Sequence, residues 1–152
     1  MHALWIDPDV RRYLWDDIII TRDRAAEAVA ASVSDFEHHA YGLWAVHLKL
    51  TGALGGFCGL RSTDDAPELL YGFVREYWGL GYATEAAGAV LDHAFRTLRM
   101  PAVDAATDAP NRASMRVLER LAMTFVRRAV VGGLDTVFYT VTREDFYNRR
   151  RT

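Results

Sequence analysis

The sequence predicts an α+β or mixed α/β fold in which strands and helices mix within a single domain, residues 1–152. Three observations support this prediction. The chain has 152 residues, of which 51% are hydrophobic and 25% charged, as in an ordinary globular domain. Short apolar segments alternate with segments of helical periodicity, and no repeat or linker separates them. A chain of this length buries about two thirds of its unfolded surface, enough for a hydrophobic core.

The first part of the chain predicts two helices. Residues 7–14 are predicted to form a short helix, because Asp7 is a good N-cap and Pro8 suits the first helical position. Residues 21–36 are predicted to form a second, alanine-rich helix, since their apolar side chains recur along one stripe.

The middle of the chain predicts three strands and a long helix. Residues 43–49 and 53–60 are apolar segments on either side of a glycine turn, which indicates a hairpin. Residues 68–74 follow a polar turn and are predicted to form the next strand. Residues 83–98 carry apolar side chains at alternating steps of three and one, the spacing of one buried helical face.

The last part predicts a strand, a helix and a second hairpin. Residues 102–107 are predicted as the strand. Residues 111–123 are predicted as the helix, because Asn111 follows a proline and is a good N-cap. Residues 125–131 and 136–141 flank a pair of glycines and are predicted to form the hairpin.

Composition excludes several classes of function. The net charge of −2 argues against a dedicated nucleic-acid binder, which needs a basic face. No apolar run approaches the ~20 residues of a membrane span, and the first residues lack the pattern of a secretory signal. Cys58 is the single cysteine and the histidines lack ligand spacing, so neither a disulfide framework nor a metal site is expected. A cytoplasmic protein without a metal is therefore predicted.

The most informative segment is residues 71–86, where a strand leads through a glycine turn into a helix. Gly79 and Gly81 let the backbone approach a ligand closely, and the first N–H groups of the helix point outwards at the positive end of its dipole. A pyrophosphate suits this arrangement, but on spacing alone a glycine turn that binds nothing is an equal alternative. No Gly-Lys-Ser/Thr follows, and Thr84 replaces the third glycine of the dinucleotide-binding motif.

Residues 78–83, Trp-Gly-Leu-Gly-Tyr-Ala, resemble the acyl-CoA-binding motif of the GNAT N-acetyltransferase superfamily. With its neighbours the segment is similar to the Tyr-Trp-Gly-x-Gly-Tyr-Ala-Thr-Glu-Ala of the RimJ/RimL-like branch, the ribosomal-protein N-acetyltransferases. Residues 111–123 form a second block, similar to that branch's Asn-x-x-Ser-x-x-x-Leu-Glu-x-Leu-Gly-Phe, with Ala122-Met123 in place of Gly-Phe. Two blocks in this order make the resemblance specific.

The resemblance implies the GNAT acyl-CoA N-acyltransferase fold, a central mixed but mostly antiparallel sheet flanked by helices. In this fold two adjacent parallel strands splay apart, and the pantetheine arm of acetyl-CoA lies between them. The implied activity is metal-free transfer of an acetyl group from acetyl-CoA, the co-substrate, directly to the primary amine of a protein N-terminus or a small molecule. Nucleic acid and membrane are not expected as partners.

One feature departs from the resemblance. Family members normally begin with a strand, whereas this sequence opens at the predicted helix of residues 7–14. A sheet without that strand exposes an edge, and exposed edges pair readily with another chain, so a homodimer is an alternative that the sequence leaves open.

The resemblance also assigns roles to individual residues. The backbones of Phe73 and Val74 would bind the pantetheine arm, and an N–H near Phe73 would stabilise the oxyanion. Asn111 would hydrogen-bond the same arm, and Ser114, on the same helix face, would also lie against the cofactor and donate a proton to the departing CoA thiolate. The pyrophosphate would be held by Trp78, Gly79, Leu80, Gly81, Tyr82, Ala83 and Thr84.

The acceptor amine must lose a proton before it attacks the thioester. Glu68, at the start of the strand that precedes the motif, is the candidate general base, and Tyr139 is an alternative acid. Each also has a structural interpretation, as a solvated carboxylate and as a buried aromatic. Two other functions stay open: a CoA-binding module without turnover, and a structural or partner-binding domain that keeps only the fold. A nucleotide oxidoreductase fits less well, since the third glycine is absent.

Overall fold

The computed structural model describes residues 1–151, which form helices packed on both faces of a six-stranded sheet. The helices are α1 (His2–Trp5), α2 (Pro8–Arg11), α3 (Arg22–His39), α4 (Tyr82–Asp92), α5 (Arg112–Arg120) and α6 (Arg143–Arg151). The strands are β1 (Leu43–His47), β2 (Leu54–Arg61), β3 (Glu68–Phe73), β4 (Ala102–Asp108), β5 (Thr124–Val131) and β6 (Leu134–Thr142).

The strands lie in the order β1-β2-β3-β4-β6-β5. Neighbouring strands are antiparallel except β3 and β4, which are parallel. The predicted α+β fold, with a mixed but mostly antiparallel sheet flanked by helices, is confirmed. Within residues 1–151 no strand precedes β1, so β1 and β5 are the two edges of the sheet.

Helices α2 and α3 each begin at a capping side chain. The carboxylate of Asp7 accepts hydrogen bonds from the N–H groups of Asp9 and Val10, and the hydroxyl of Thr21 accepts one from Arg24. The region predicted as one helix, residues 7–14, contains only the short α2, and α1 precedes it without having been predicted. The strong N-cap thus predicted the start of α2 but not its length.

Helix α4 does not continue unchanged through residue 98 as predicted. It ends at Asp92, and His93–Thr97 adopt a π-helical turn before the chain leaves for β4. The apolar stripe is retained across this change, since Ala94 and Phe95 are buried like Val90 and Leu91. The hydrophobic period therefore predicted the buried face correctly but not the local winding.

The sheet has a hydrophobic core on each face. One core joins β2, β3, β4 and β6 to the helices α4, α5 and α6. The other core, centred on Trp5 and Phe57, joins the N-terminal helices to the opposite face of β2 and β3. The N-terminal helices and the C-terminal half therefore hold the central strands from opposite sides.

The sequence predicts no element after residue 141, but α6 lies there. The hydroxyl of Thr142 accepts a hydrogen bond from the N–H of Asp145 and donates one to its carboxylate. Phe146 is only 2% exposed and packs against Phe95, with 5.3 Å between the ring centroids. Phe146 is flanked by charged residues, so α6 has no apolar stripe from which the helix could be predicted.

Candidate active site

A wedge opens between the two parallel strands. β3 and β4 are paired at one register position, Glu68 opposite Asp104, and the Asp104 N–H donates to the carbonyl of Pro67 at 2.9 Å. Beyond this pair the strands diverge. Because the connection after β3 leads into α4 and that after β4 into α5, the wedge opens towards the start of both helices.

A cradle of free backbone donors lies at the end of β3. Gly79 and Gly81 adopt positive φ angles of 73° and 85°, and a Cβ added to either would meet no atom within 4 Å. The first hydrogen bond of α4 runs from the Glu85 N–H to the Gly81 carbonyl. Among the described residues, the N–H groups of residues 79–84 have no acceptor. An anionic group such as a pyrophosphate fits this open, positively polarised cradle.

The backbone at the end of β3 faces two ways. The Val74 N–H donates to the Gly55 carbonyl at 3.0 Å, and the Val74 carbonyl accepts from the Tyr77 N–H at 3.0 Å. Val74 therefore has no free N–H for a ligand, whereas its carbonyl oxygen keeps one lone pair beyond the hydrogen bond from Tyr77. Because backbone groups alternate along a strand, Phe73 directs its N–H and carbonyl into the wedge.

The carbonyl of Phe73 is already in use. It accepts a hydrogen bond of 2.7 Å from the indole Nε1 of Trp78. Trp78 thus links the glycine loop to the strand end, a role that the motif did not predict. Trp78 is 48% exposed and Leu80 is 62% exposed.

Asn111 and Ser114 lie at the start of α5, on the other side of the wedge. The side-chain oxygen of Asn111 accepts from the Ser114 N–H at 3.2 Å, so Asn111 is the helix N-cap. Its amide nitrogen has no partner among residues 1–151. A capping role and a ligand-binding role are therefore compatible in the same side chain.

Tyr71 reaches across the wedge from β3 to Ser114. Its hydroxyl lies 2.7 Å from Ser114 Oγ and 3.3 Å from the Ser114 carbonyl oxygen. Burial raises the pKa of the Tyr71 hydroxyl well above its ordinary value, so this group stays protonated. The sequence analysis missed Tyr71, although its position two residues before Phe73 places it on the same face of β3.

Glu68 lies at the closed end of the wedge. Both Nε and NH2 of Arg61 donate to its Oε2, at 3.1 and 2.6 Å, while Oε1 has no partner among the described residues. The side chain of Glu68 is 16% exposed. Opposite it, the carboxylate of Asp104 accepts from the Thr140 hydroxyl at 2.7 Å. One oxygen of Glu68 is thus available for a proton, as a general base requires.

Tyr139 lies in the core on the side of the sheet that α4, α5 and α6 cover. It is 4% exposed, and its ring makes an edge contact with Phe125. Burial and the nearby carboxylate of Glu119 raise the pKa of its hydroxyl. Its expected role as an alternative acid stays a prediction.

Asp108 ends β4 on the same side of the sheet as Asp104, two alternations further along. Burial and the nearby Asp16 raise the pKa of its carboxyl group. Sequence reasoning missed this residue, and the alternation within β4 is the signal that would have found it.

Within residues 1–151, no three histidine, cysteine or acidic side chains cluster as a metal site requires. Nor does any helix in this range have the length and apolar character to cross a bilayer.

A mixed sheet that splays at its single parallel strand pair, with a glycine cradle at the adjoining helix start, is the architecture of the GNAT acyltransferases. The family model for the acetyltransferase (GNAT) domain matches residues 1–124. The chain belongs to the GNAT acetyltransferase family.

One relative from Bacillus aligns with most of the chain. Over 126 residues, the chain is 32% identical to the protein YkkB of Bacillus subtilis, an alignment that covers 80% of this chain and 72% of YkkB.

Two solved structures share the fold. One is the ribosomal-protein-S5-alanine acetyltransferase from Vibrio fischeri, with a TM-score of 0.71, 19% identity and coverage of 84% of this chain and 75% of that one. The other comprises mutant forms of the spermidine/spermine N-acetyltransferase SpeG from Vibrio cholerae, with a TM-score of 0.75, 16% identity and coverage of 98% and 90%. At these identities the likeness concerns the fold alone.

Proposed function

We propose that the protein transfers an acetyl group from acetyl-CoA directly to a primary amine. The observation that carries this proposal is the run of unpaired N–H groups at residues 79–84, beside open glycines and at the mouth of the wedge. Such a run costs free energy unless water or an anion satisfies it. The pyrophosphate of acetyl-CoA is the anion that the family membership suggests.

In this proposal the two sides of the wedge share the co-substrate. The N–H groups from Gly79 to Thr84 hold the pyrophosphate, while the second lone pair of the Phe73 carbonyl oxygen and the free amide nitrogen of Asn111 bind the pantetheine arm. The amine attacks the thioester carbonyl carbon, the C–N bond forms, and the C–S bond breaks. The Phe73 N–H stabilises the oxyanion, and Ser114 hydrogen-bonds the departing thiolate. Donors of this kind contribute a few kcal/mol in comparable sites.

Glu68 acts as the general base in this scheme, through its free Oε1, either directly or through a water molecule. Its Oε2 is held by Arg61, which fixes the orientation of the carboxylate. Proton removal of this kind contributes about 10²- to 10⁴-fold in rate.

For the acceptor we propose either a protein N-terminal amine, as in the RimJ/RimL-like branch, or a small amine. The names of the two solved relatives offer one example of each, an alanine of a ribosomal protein and spermidine. We also propose a cytoplasmic location, because the single cysteine is buried and unpaired.

The binding step is tested by thermal unfolding with acetyl-CoA, CoA and NAD, on the wild type and on Gly81→Glu. Ligand at 100 times its dissociation constant stabilises a protein by about 2.7 kcal/mol, which is several degrees for this size. Acetyl-CoA and CoA are expected to raise the Tm of the wild type but not that of G81E, and NAD to leave both unchanged. Gly52→Glu is the matched control, since Gly52 also has a positive φ and open surroundings but lies in the β1–β2 turn.

The chemical step is tested by CoA release with spermidine and with an alanine-initiated peptide as acceptors. Release that depends on either amine supports an acetyltransferase. Binding of acetyl-CoA without release from either acceptor would instead favour a CoA-binding module. If acetyl-CoA produced no thermal shift, the structural or partner-binding alternative would replace the proposal.

A further inference from the structure

Tyr71 and Ser114 form a hydrogen bond that bridges the wedge. Tyr71 belongs to β3 and Ser114 to α5, the helix that follows β4, so the two residues come from the two sides of the splayed sheet. The 2.7 Å separation of their oxygens is the usual distance of a hydrogen bond between two hydroxyl groups. Nothing in the two motif blocks assigns Tyr71 a role.

The direction of this hydrogen bond decides what Ser114 can do. The Tyr71 hydroxyl has one proton and two acceptors within reach, Ser114 Oγ at 2.7 Å and the Ser114 carbonyl at 3.3 Å. When Tyr71 donates to Oγ, the Ser114 hydroxyl is free to donate its own hydrogen bond to another acceptor. Tyr71 is buried and stays protonated, so it always has a proton to donate to one of these two acceptors.

We propose that Tyr71 is a positioning residue that acts through Ser114, donating to Ser114 Oγ so that the serine hydroxyl donates to the sulfur of the departing CoA thiolate. This inference rests on the proposed function. As the C–S bond breaks, the sulfur keeps the bonding electron pair and accepts the hydrogen bond. Neither hydroxyl loses its proton, and the thiolate is later protonated by solvent. Two hydrogen bonds in series polarise each other, which strengthens the bond to sulfur.

The first test is Tyr71→Phe, which keeps the ring and removes the hydroxyl. The variant is expected to lower kcat about tenfold while the KM for acetyl-CoA changes less than twofold, because the lost contact acts as charge develops on sulfur. Acetyl-CoA affinity, measured by calorimetry, is expected to stay unchanged.

The second test is a double-mutant cycle with Ser114→Ala. If Tyr71 acts through Ser114, the Y71F/S114A double variant has the same kcat as S114A alone. If the fold-loss of kcat in the double variant equals the product of the two single fold-losses, the hydroxyls act independently and the inference is overturned.

The matched control is Tyr41→Phe. Tyr41 is 6% exposed, and its hydroxyl lies 2.9 Å from Ser62 Oγ, so it forms the same kind of tyrosine–serine pair away from the wedge. The Tm values of Y41F and Y71F are expected to fall by similar amounts, with kcat lowered only in Y71F. Equal kcat losses in both variants would assign Tyr71 a merely structural role and overturn the inference.

Two further outcomes are distinguishable. If the wild type releases no CoA with spermidine or the alanine-initiated peptide, the proposed function fails and takes this inference with it. If the wild type is active and Y71F retains its kcat, this inference alone fails. Should Y71F unfold at assay temperature, 3-fluorotyrosine at position 71 replaces it. That residue keeps the ring and is a stronger donor, so kcat must be retained or raised, and a lowered kcat counts against the inference.

Discussion

The indole Nε1 of Trp78 donates a 2.7 Å hydrogen bond to the carbonyl oxygen of Phe73. Phe73 ends β3 at the wedge, and Trp78 immediately precedes the two glycines of the cradle. One side chain therefore fixes the position of the cradle relative to the strand that faces the wedge. Trp78 therefore holds the glycine loop in place against the end of β3.

Trp78→Phe is expected to weaken acetyl-CoA binding about fivefold and to lower stability by about 1 kcal/mol, the usual contribution of one hydrogen bond. Phenylalanine keeps one aromatic ring but removes the five-membered ring of the indole together with its N–H donor, and the control below carries the same loss of volume. Calorimetric titration with acetyl-CoA and a thermal melt measure the two effects. Trp44→Phe is the control, because Trp44 lies on the edge strand β1, away from the cradle. An unchanged affinity in W78F would contradict the positional role.

Glu68→Gln is expected to lower kcat about 100-fold with little change in the KM for acetyl-CoA, since the amide cannot take a proton from the acceptor. Asp104→Asn is the comparison, because Asp104 faces Glu68 across the wedge but is held by the Thr140 hydroxyl. The kcat of D104N is expected to fall by less than about threefold, far less than that of E68Q. Steady-state CoA release measures both, and equal losses would remove Glu68 as the general base.

Sequence patterns predicted the elements that repeat a physical signal over many residues. The apolar stripe of α4 is a signal of this kind. The caps of α2 and α5 were predicted as well, because each depends on residues that are neighbours in the chain. The Tyr71–Ser114 and Arg61–Glu68 contacts could not be predicted in the same way. They join residues that are distant in sequence or on different strands, and only the register of the sheet brings them together.

The carboxyl group of Asp108 is expected to destabilise the fold at neutral pH. Burial and Asp16 raise its folded-state pKa above the ordinary 3.8, so the unfolded state accommodates the charge better. Asp108→Asn is therefore expected to raise Tm at pH 7. This gain declines as pH falls through the folded-state pKa and vanishes below about 3.8, where the carboxyl is neutral in both states.

Thermal melts between pH 3 and pH 8 test this prediction. Asp135→Asn is the control of opposite sign, because the hydrogen bond from Arg128 lowers the pKa of Asp135. The contribution of Asp135 is present above the unfolded-state pKa and lost as pH falls through the lower folded-state value. D135N is thus expected to give no rise in Tm, and a rise equal to that of D108N would contradict the assignment.

Cys58 is expected to be inert in the folded protein. It is 1% exposed, and burial raises the pKa of its thiol to about 12, so the thiolate is negligible at pH 8. Ellman's reagent should detect no thiol in the native protein and one thiol per chain after unfolding in guanidinium chloride. Fast labelling of the native protein would contradict the burial of this residue.

Phe146→Ala is expected to cost about 3–5 kcal/mol of unfolding free energy, the usual cost of emptying a buried aromatic site. Phe146 is the buried anchor of α6 and packs against Phe95 on the segment that follows α4. Phe125→Ala is the matched control: Phe125 is 57% exposed on the edge strand β5, so its loss should cost about 0.5 kcal/mol or less. Urea unfolding measures both variants. Similar losses of unfolding free energy in the two variants would mean that α6 contacts the core without stabilising it.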